Sequence, residues 1–111
     1  MSLYAHLVGR IGRDAEVRYT PSGAVVAGFP VATDHGYGDN KKTIWIECSI
    51  WGERAEKVAP HLIKDKQISV HGELHEETWQ KKDGSEGKRL KLDVRSFDFC
   101  GGKEEGGERS Q

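Results

Sequence analysis

The residues best suited to chemistry in this chain are tryptophans, and the chemistry is stacking on flat ligands. Trp45 and Trp51 lie in the segment Thr43-Ile44-Trp45-Ile46-Glu47-Cys48-Ser49-Ile50-Trp51, which otherwise alternates between apolar and polar side chains. In a strand, residues two apart share a face, so Ile44, Ile46, Cys48 and Ile50 form an aliphatic row suited to a core. Trp45, Glu47, Ser49 and Trp51 then point the other way, with the two indoles roughly 20 Å apart. Two indoles on a polar face predict either a platform for flat ligands, of which unpaired nucleobases are the commonest, or coverage by a loop or neighbouring subunit.

Other chemistries find less support. The sequence contains no GxxxxGK[ST], HExxH, GxSxG or paired-cysteine zinc pattern, so an enzyme is not expected. Cys48 sits in the aliphatic row and Cys100 at the start of a glycine-rich tail, which argues against a disulfide. His71 and His75 would share a strand face about 13 Å apart, too far to chelate one ion, so no metal is expected and no cofactor is implied. Charge gives no bulk attraction for a polyanion, because 17 Lys/Arg face 18 Asp/Glu. Binding to nucleic acid would need cations gathered on one face, or stacking that supplies a larger share of the affinity.

The elements that must position these residues are mostly strands. At 111 residues, 35% hydrophobic and 32% charged, the chain fits one small barrel or sandwich better than a helical bundle. Residues 3 to 12 read as a first strand bent at Gly9 and Gly12, resumed by Glu16 to Tyr19; Thr20-Pro21-Ser22-Gly23 is a turn. Residues 24 to 33 form a second strand, with Val25, Ala27, Phe29, Val31 and Thr33 on one face. Pro30 on the other face signals an edge or a break in the ladder. Asp34 to Lys42 is a loop carrying Tyr37, and the tryptophan strand follows.

From Gly52 the period changes. Ala55, Val58, Ala59 and Leu62 predict one short amphipathic helix, kinked or ended by Pro60. Residues 67 to 80 form a fourth strand with Ile68, Val70, Gly72 and Leu74 inward and Trp79 outward. A loop around Asp83-Gly84 leads to a last strand, 88 to 99, with Leu90, Leu92 and Val94 inward. The expected fold is all-β, a five-stranded oligonucleotide/oligosaccharide-binding (OB) barrel with one helix between strands 3 and 4. The expected organisation is a barrel domain over 1–100 and a short disordered tail over 101–111. Another small antiparallel barrel or sandwich with a helical insertion is the competing architecture. No apolar run is long enough to span a membrane and the N-terminus lacks signal-peptide regions, which predicts a cytoplasmic protein.

The stretch Leu7-Val8-Gly9-Arg10-Ile11-Gly12-Arg13-Asp14-Ala15-Glu16-Val17-Arg18-Tyr19-Thr20-Pro21-Ser22-Gly23 closely resembles the opening of bacterial single-stranded DNA-binding proteins. Ala27 to Thr33, Trp45 with Trp51-Gly52-Glu53-Arg54-Ala55-Glu56, and Gln67 to Leu74 continue the resemblance in order. It implies sequence-independent binding and protection of single-stranded DNA during replication, recombination and repair. It also implies a homo-oligomer, a homotetramer of dimers paired through their first strands. By the same resemblance Trp45, Trp79 and Trp51 match stacking aromatics, Tyr37 falls near another, and Arg18 and Lys64 lie at or beside basic positions along the DNA. Arg10, Arg13, Arg18, Lys41, Lys42, Arg54, Lys57, Lys64 and Lys66 are the candidate phosphate contacts.

Departures from the family pattern carry their own expectations. Glu47, Glu53, His75, Glu76 and Glu77 stand where relatives often carry basic residues, which predicts weaker binding and a shallower salt dependence. Relatives typically end in aspartates and a short apolar tip that docks replication and repair enzymes, whereas this sequence ends Gly106-Gly107-Glu108-Arg109-Ser110-Gln111. Docking through such a tip is therefore not expected, which fits a shortened chain, a divergent paralogue, a plasmid or phage version, or a primosomal relative. RNA stays open as a ligand because stacking does not distinguish the sugar. The competing function is a protein-interaction module whose tryptophans form an oligomer or partner interface.

Overall fold

The computed structural model describes residues 2–100. Its strands are β1 (Tyr4–Ile11), β2 (Glu16–Tyr19), β3 (Val25–His35), β4 (Lys42–Trp51), β5 (Gln67–Gln80) and β6 (Glu86–Phe99), with helix α1 (Glu53–Val58) between β4 and β5. The sheet runs β1-β5-β6-β4-β3-β2 and closes through a β1–β3 pairing. β1 and β2 are two halves of one broken strand, so the ring is the expected five-stranded OB barrel, with β4 and β6 paired in parallel and the other ladders antiparallel. The expected tail and the C-terminal residues lie outside the described residues.

Gly9 and Pro30 show why the first strand bends where it does. A Cβ on Gly9 would collide with the carbonyl oxygen of Ala32, so only glycine lets β1 approach β3 closely enough to close the ring. Ile11 pairs with Val31 and Glu16 pairs with Gly28, leaving residues 12 to 15 as the gap between the two halves. Pro30 lies at that gap, where its missing N–H breaks no ladder bond, and its carbonyl accepts the Gly12 N–H at 2.9 Å. The expected break is therefore on the β1–β2 side of β3, while the β3–β4 ladder runs through Pro30, which pairs with Glu47.

The alternating rows meet inside the ring. Ile11, Phe29, Val31, Cys48, Ile50, Ile68 and Leu92 have no exposed surface, and Val70 and Val94 are buried beside them. Ile44 departs from its row at 39% exposed, because β4 extends past the barrel towards the Gly38–Asn40 3₁₀ turn. The helical segment closes the barrel with fully buried Ala55 and Leu62; α1 ends at Val58 and passes into a single 3₁₀ turn, Ala59–His61, that contains Pro60. That early end follows from proline's missing N–H and its ring.

β5 and β6 continue pairing to Gln80 and Glu86, so their distal halves form an arm whose His75–Gln80 segment is exposed. Its turn is held by Asp83, whose Oδ1 accepts bonds from the Ser85 N–H at 2.9 Å and the Ser85 hydroxyl at 2.6 Å. Those two bonds stabilise the carboxylate and lower the Asp83 pKa.

Candidate nucleic-acid interface

The outer side of β4 presents Trp45, Glu47, Ser49 and Trp51, as the alternation predicts. Trp45 is 56% exposed and Trp51 48%, whereas Ser49, centred between Gly28 on β3 and Asp93 on β6, is buried. The β3 residues opposite are small or compact: Trp45 faces Ala32, Glu47 faces Pro30, Ser49 faces Gly28 and Trp51 faces Val26. The small residues at the centre of the floor let neighbouring side chains close over it, so that Gly28 and Ser49 are both buried.

Through the β4–β6 and β5–β6 ladders the same outer side continues to the arm. Glu47 pairs with Lys91, Lys91 with His75, Arg89 with Glu77, and Trp79 with Gly87. Because paired residues point to the same side of a sheet, Trp45, Trp51 and Trp79 share one continuous face. Trp79 is 40% exposed, and Tyr37, next to the 3₁₀ turn of the β3–β4 loop, is 91% exposed.

Two indoles have glycine seats. A Cβ on Gly12 would lie 2.5 Å from Trp45 Cζ3, and one on Gly87 would lie 2.6 Å from Trp79 Cε2 and Cζ2. Each ring thus rests against a glycine; Trp79 carries the Arg89 guanidinium over its ring as well. Trp45 also lines an open pocket with Gly12, Arg13, Asp14, Pro30 and Lys64. The Lys64 N–H is fixed by Asp14 Oδ1 at 2.8 Å, which ties the segment after the helix to this pocket. A base on Trp45 would have two cations within reach of its phosphates.

The structure sorts the remaining phosphate candidates. Arg18 reaches over Gly28, where its Nη2 would lie 3.8 Å from an added Cβ and Glu47 Oε2 3.5 Å from it, so a cation and an anion flank the floor between the indoles. Lys41 is paired with Asp34 at 3.4 Å, and Lys42 starts β4 beside the Tyr37 loop. Arg54 is exposed but engaged with β6: Nη2 and Nη1 donate to the carbonyls of Val94 and Arg95 at 2.9 and 3.2 Å, and the guanidinium lies over Phe97. Lys66 lies over the Phe99 ring, Arg10 donates to the Asp65 carbonyl at 3.4 Å, and Lys57 lies in the last turn of α1. Arg13, Arg18 and Lys64 are therefore the candidates grouped with an indole or with the floor between the indoles.

Two cations of β6 that the sequence does not single out share this face. Arg89 stands with its guanidinium carbon 4.8 Å from the Trp79 ring centre, and Lys91 lies between His75 and Glu47. The alternation of Leu90, Leu92 and Val94 already turns Arg89 and Lys91 outward. What local sequence does not show is that β6 lies parallel to β4 and shares its face.

Residues 4–100 match the model of the single-strand binding protein family. The chain is 32% identical over 100 residues to a single-stranded DNA-binding protein of Chlamydia muridarum, covering 90% of this chain and 64% of that one. Over 86 residues it is 36% identical to a single-stranded DNA-binding protein of Treponema pallidum, covering 74% of this chain and 49% of that one. The chain thus spans roughly half to two thirds of the length of these relatives. A solved complex of the Plasmodium falciparum SSB with ssDNA superposes with a TM-score of 0.74 at 21% identity, covering 91% of this chain and 97% of that one, a likeness that shows the fold. On the family match over residues 4–100, this chain belongs to the single-strand binding protein family.

Proposed function

We propose that this chain binds single-stranded DNA without sequence preference and protects it during replication, recombination and repair. The observation that carries the reading is the placement of Trp45, Trp51 and Trp79 on one outer face, each about half exposed. Bases leave their own stacks and lie on these rings and on Tyr37, while Arg13, Arg18 and Lys64, joined by Arg89 and Lys91, meet the phosphates. Stacking contributes about 1 to 3 kcal/mol per base and is tolerant of sequence, since every base has a π-face. Binding is stoichiometric, needs no cofactor, and fits a cytoplasmic protein; among the described residues no helix is long and apolar enough to cross a membrane.

A surface apart from the tryptophans supports self-association. Leu3, Tyr4 and Val8 are exposed apolar residues at the start of the chain and on β1. Pairing of two copies along β1 would cover them and leave the tryptophans for the ligand, which favours such a dimer, the unit from which a homotetramer would be built, over a module that uses its indoles as a protein interface.

Titrating the protein with oligo-dT, and with oligo-U of equal length, while following indole emission tests the reading. Saturable quenching by oligo-dT at micromolar concentration is expected. Unchanged emission, with a shift that depends only on protein concentration, would assign the tryptophans to an interface instead.

A further inference from the structure

Glu77 occupies an unusual place on this face. Its Oε1 lies 3.8 Å from Arg89 Nε and its Oε2 4.0 Å from Lys91 Nζ, so one carboxylate spans two cations with one oxygen each. Arg89 is also the cation that lies over the Trp79 ring. Glu77 precedes Trp79 by two residues on the same side of β5, and it pairs with Arg89 across the ladder. All these side chains are reachable from solvent: Glu77 is 45% exposed, Arg89 48% and Lys91 26%.

We propose that Glu77 is a built-in competitor for the DNA phosphate: a carboxylate that holds Arg89 and Lys91 in the absence of ligand and must give them up when a strand binds. This rests on the reading of the face as a single-stranded DNA site. The chemistry is an exchange of one doubly bridging oxyanion for another. A phosphate diester presents two non-bridging oxygens that can take the same two cations, and it can close on them to charge-assisted hydrogen bonds that Glu77, at ion-pair distance from both, does not make. Because Glu77 anchors Arg89 on the indole, its release also leaves Arg89 able to follow the phosphate while a base takes its place on Trp79. Glu77 therefore sets the affinity of the arm below what its cations could provide, and it hides them from the salt dependence of binding. The exposed ion pairs being exchanged are individually weak, so the effect of removing their shared acid is modest and measurable.

Glu76 supplies the control. It pairs with Leu90 and points to the opposite side of β5 from Glu77, so Glu76→Gln makes the same change in net charge without touching Arg89 or Lys91. Anisotropy of a labelled oligo-dT reports binding independently of any change that Arg89 makes to Trp79 emission. Expected for Glu77→Gln is binding about three- to tenfold tighter near 50 mM salt. Its plot of log K against log salt should steepen by up to about 1.4, from about 0.7 for each of two phosphates. Glu76→Gln should change affinity less than twofold, and Arg89→Gln added to Glu77→Gln should remove most of the gain. A Glu77→Gln protein that binds no better than the parent, or gains no more than Glu76→Gln, overturns the proposal while leaving the DNA-binding reading intact. A parent protein that does not bind oligo-dT overturns both.

Discussion

Trp79 lies across Gly87, its partner in the β5–β6 ladder, so closely that a methyl group on the glycine would stand 2.6 Å from the indole. The backbone of Gly87 does not need glycine for its angles, since its φ is outside the left-handed region. What it needs is the absence of a side chain. Packing an aromatic over a cross-strand glycine restores to the ladder the contact that the glycine lacks, and it lays the ring flat along the sheet. Gly12, at the bend of the first strand and outside the ladders, likewise makes room for Trp45, whose ladder partner is Ala32.

Gly87→Ala should therefore lift Trp79 from its seat. The arm lies outside the barrel core, so the thermal midpoint should move little, while oligo-dT affinity falls several-fold, within the range of one stacked base. Titration by anisotropy alongside a melting curve checks both parts. Unchanged affinity would mean that the orientation of Trp79 does not matter to binding.

Trp45→Ala with Trp51→Ala removes two platforms at once. At about 1 to 3 kcal/mol per base, the combined loss is about 2 to 6 kcal/mol, enough to abolish detectable binding at micromolar protein. Both rings are about half exposed, so the double variant should keep the parent's circular dichroism spectrum. Residual binding within tenfold of the parent would place the energy elsewhere on the face.

The fold is legible in the sequence because barrel strands write their inward side at every second residue. Alternation alone assigns Phe29, Ile50, Ile68 and Leu92 to the interior, and the change of period after Gly52 marks the helix that Pro60 cuts short. The site is legible only where one strand carries it. Trp45 and Trp51 follow from β4 alone, but the grouping of Arg13 and Lys64 around Trp45 depends on a bend and a helix exit that meet only in the closed barrel. Arg54 reads as a free surface cation because nothing local shows that two β6 carbonyls engage its guanidinium. The glycine seats are legible as bends and loops, not as supports for rings.

Phe29→Ala tests how much of the stability sits in that readable row. Phe29 has no exposed surface and lies opposite Cys48 in the β3–β4 ladder. Truncation should cost about 3 to 5 kcal/mol, a large fraction of the roughly 5 to 15 kcal/mol typical of a domain. Urea unfolding should show a lower midpoint at unchanged slope. A loss below about 1 kcal/mol would mean that the ring is not packed as described.

Cys48 gives the structure a reporter of core packing that stays silent across the neutral pH range. Burial first, and the Glu47 carboxylate second, push its thiol up to about 12, well above the usual range. The thiolate is the reactive form, so at pH 8 only about one Cys48 in ten thousand would be ionised even if a reagent could enter the core. Cys100 is exposed. A disulfide reagent such as DTNB should therefore titrate one thiol rapidly in the native protein and the second only on unfolding, and raising the pH from 7 to 9 should not bring Cys48 into the fast phase. Two fast equivalents in the folded protein would show that the β3–β4 core opens to solvent, and would undercut the packing on which the tryptophan face is built.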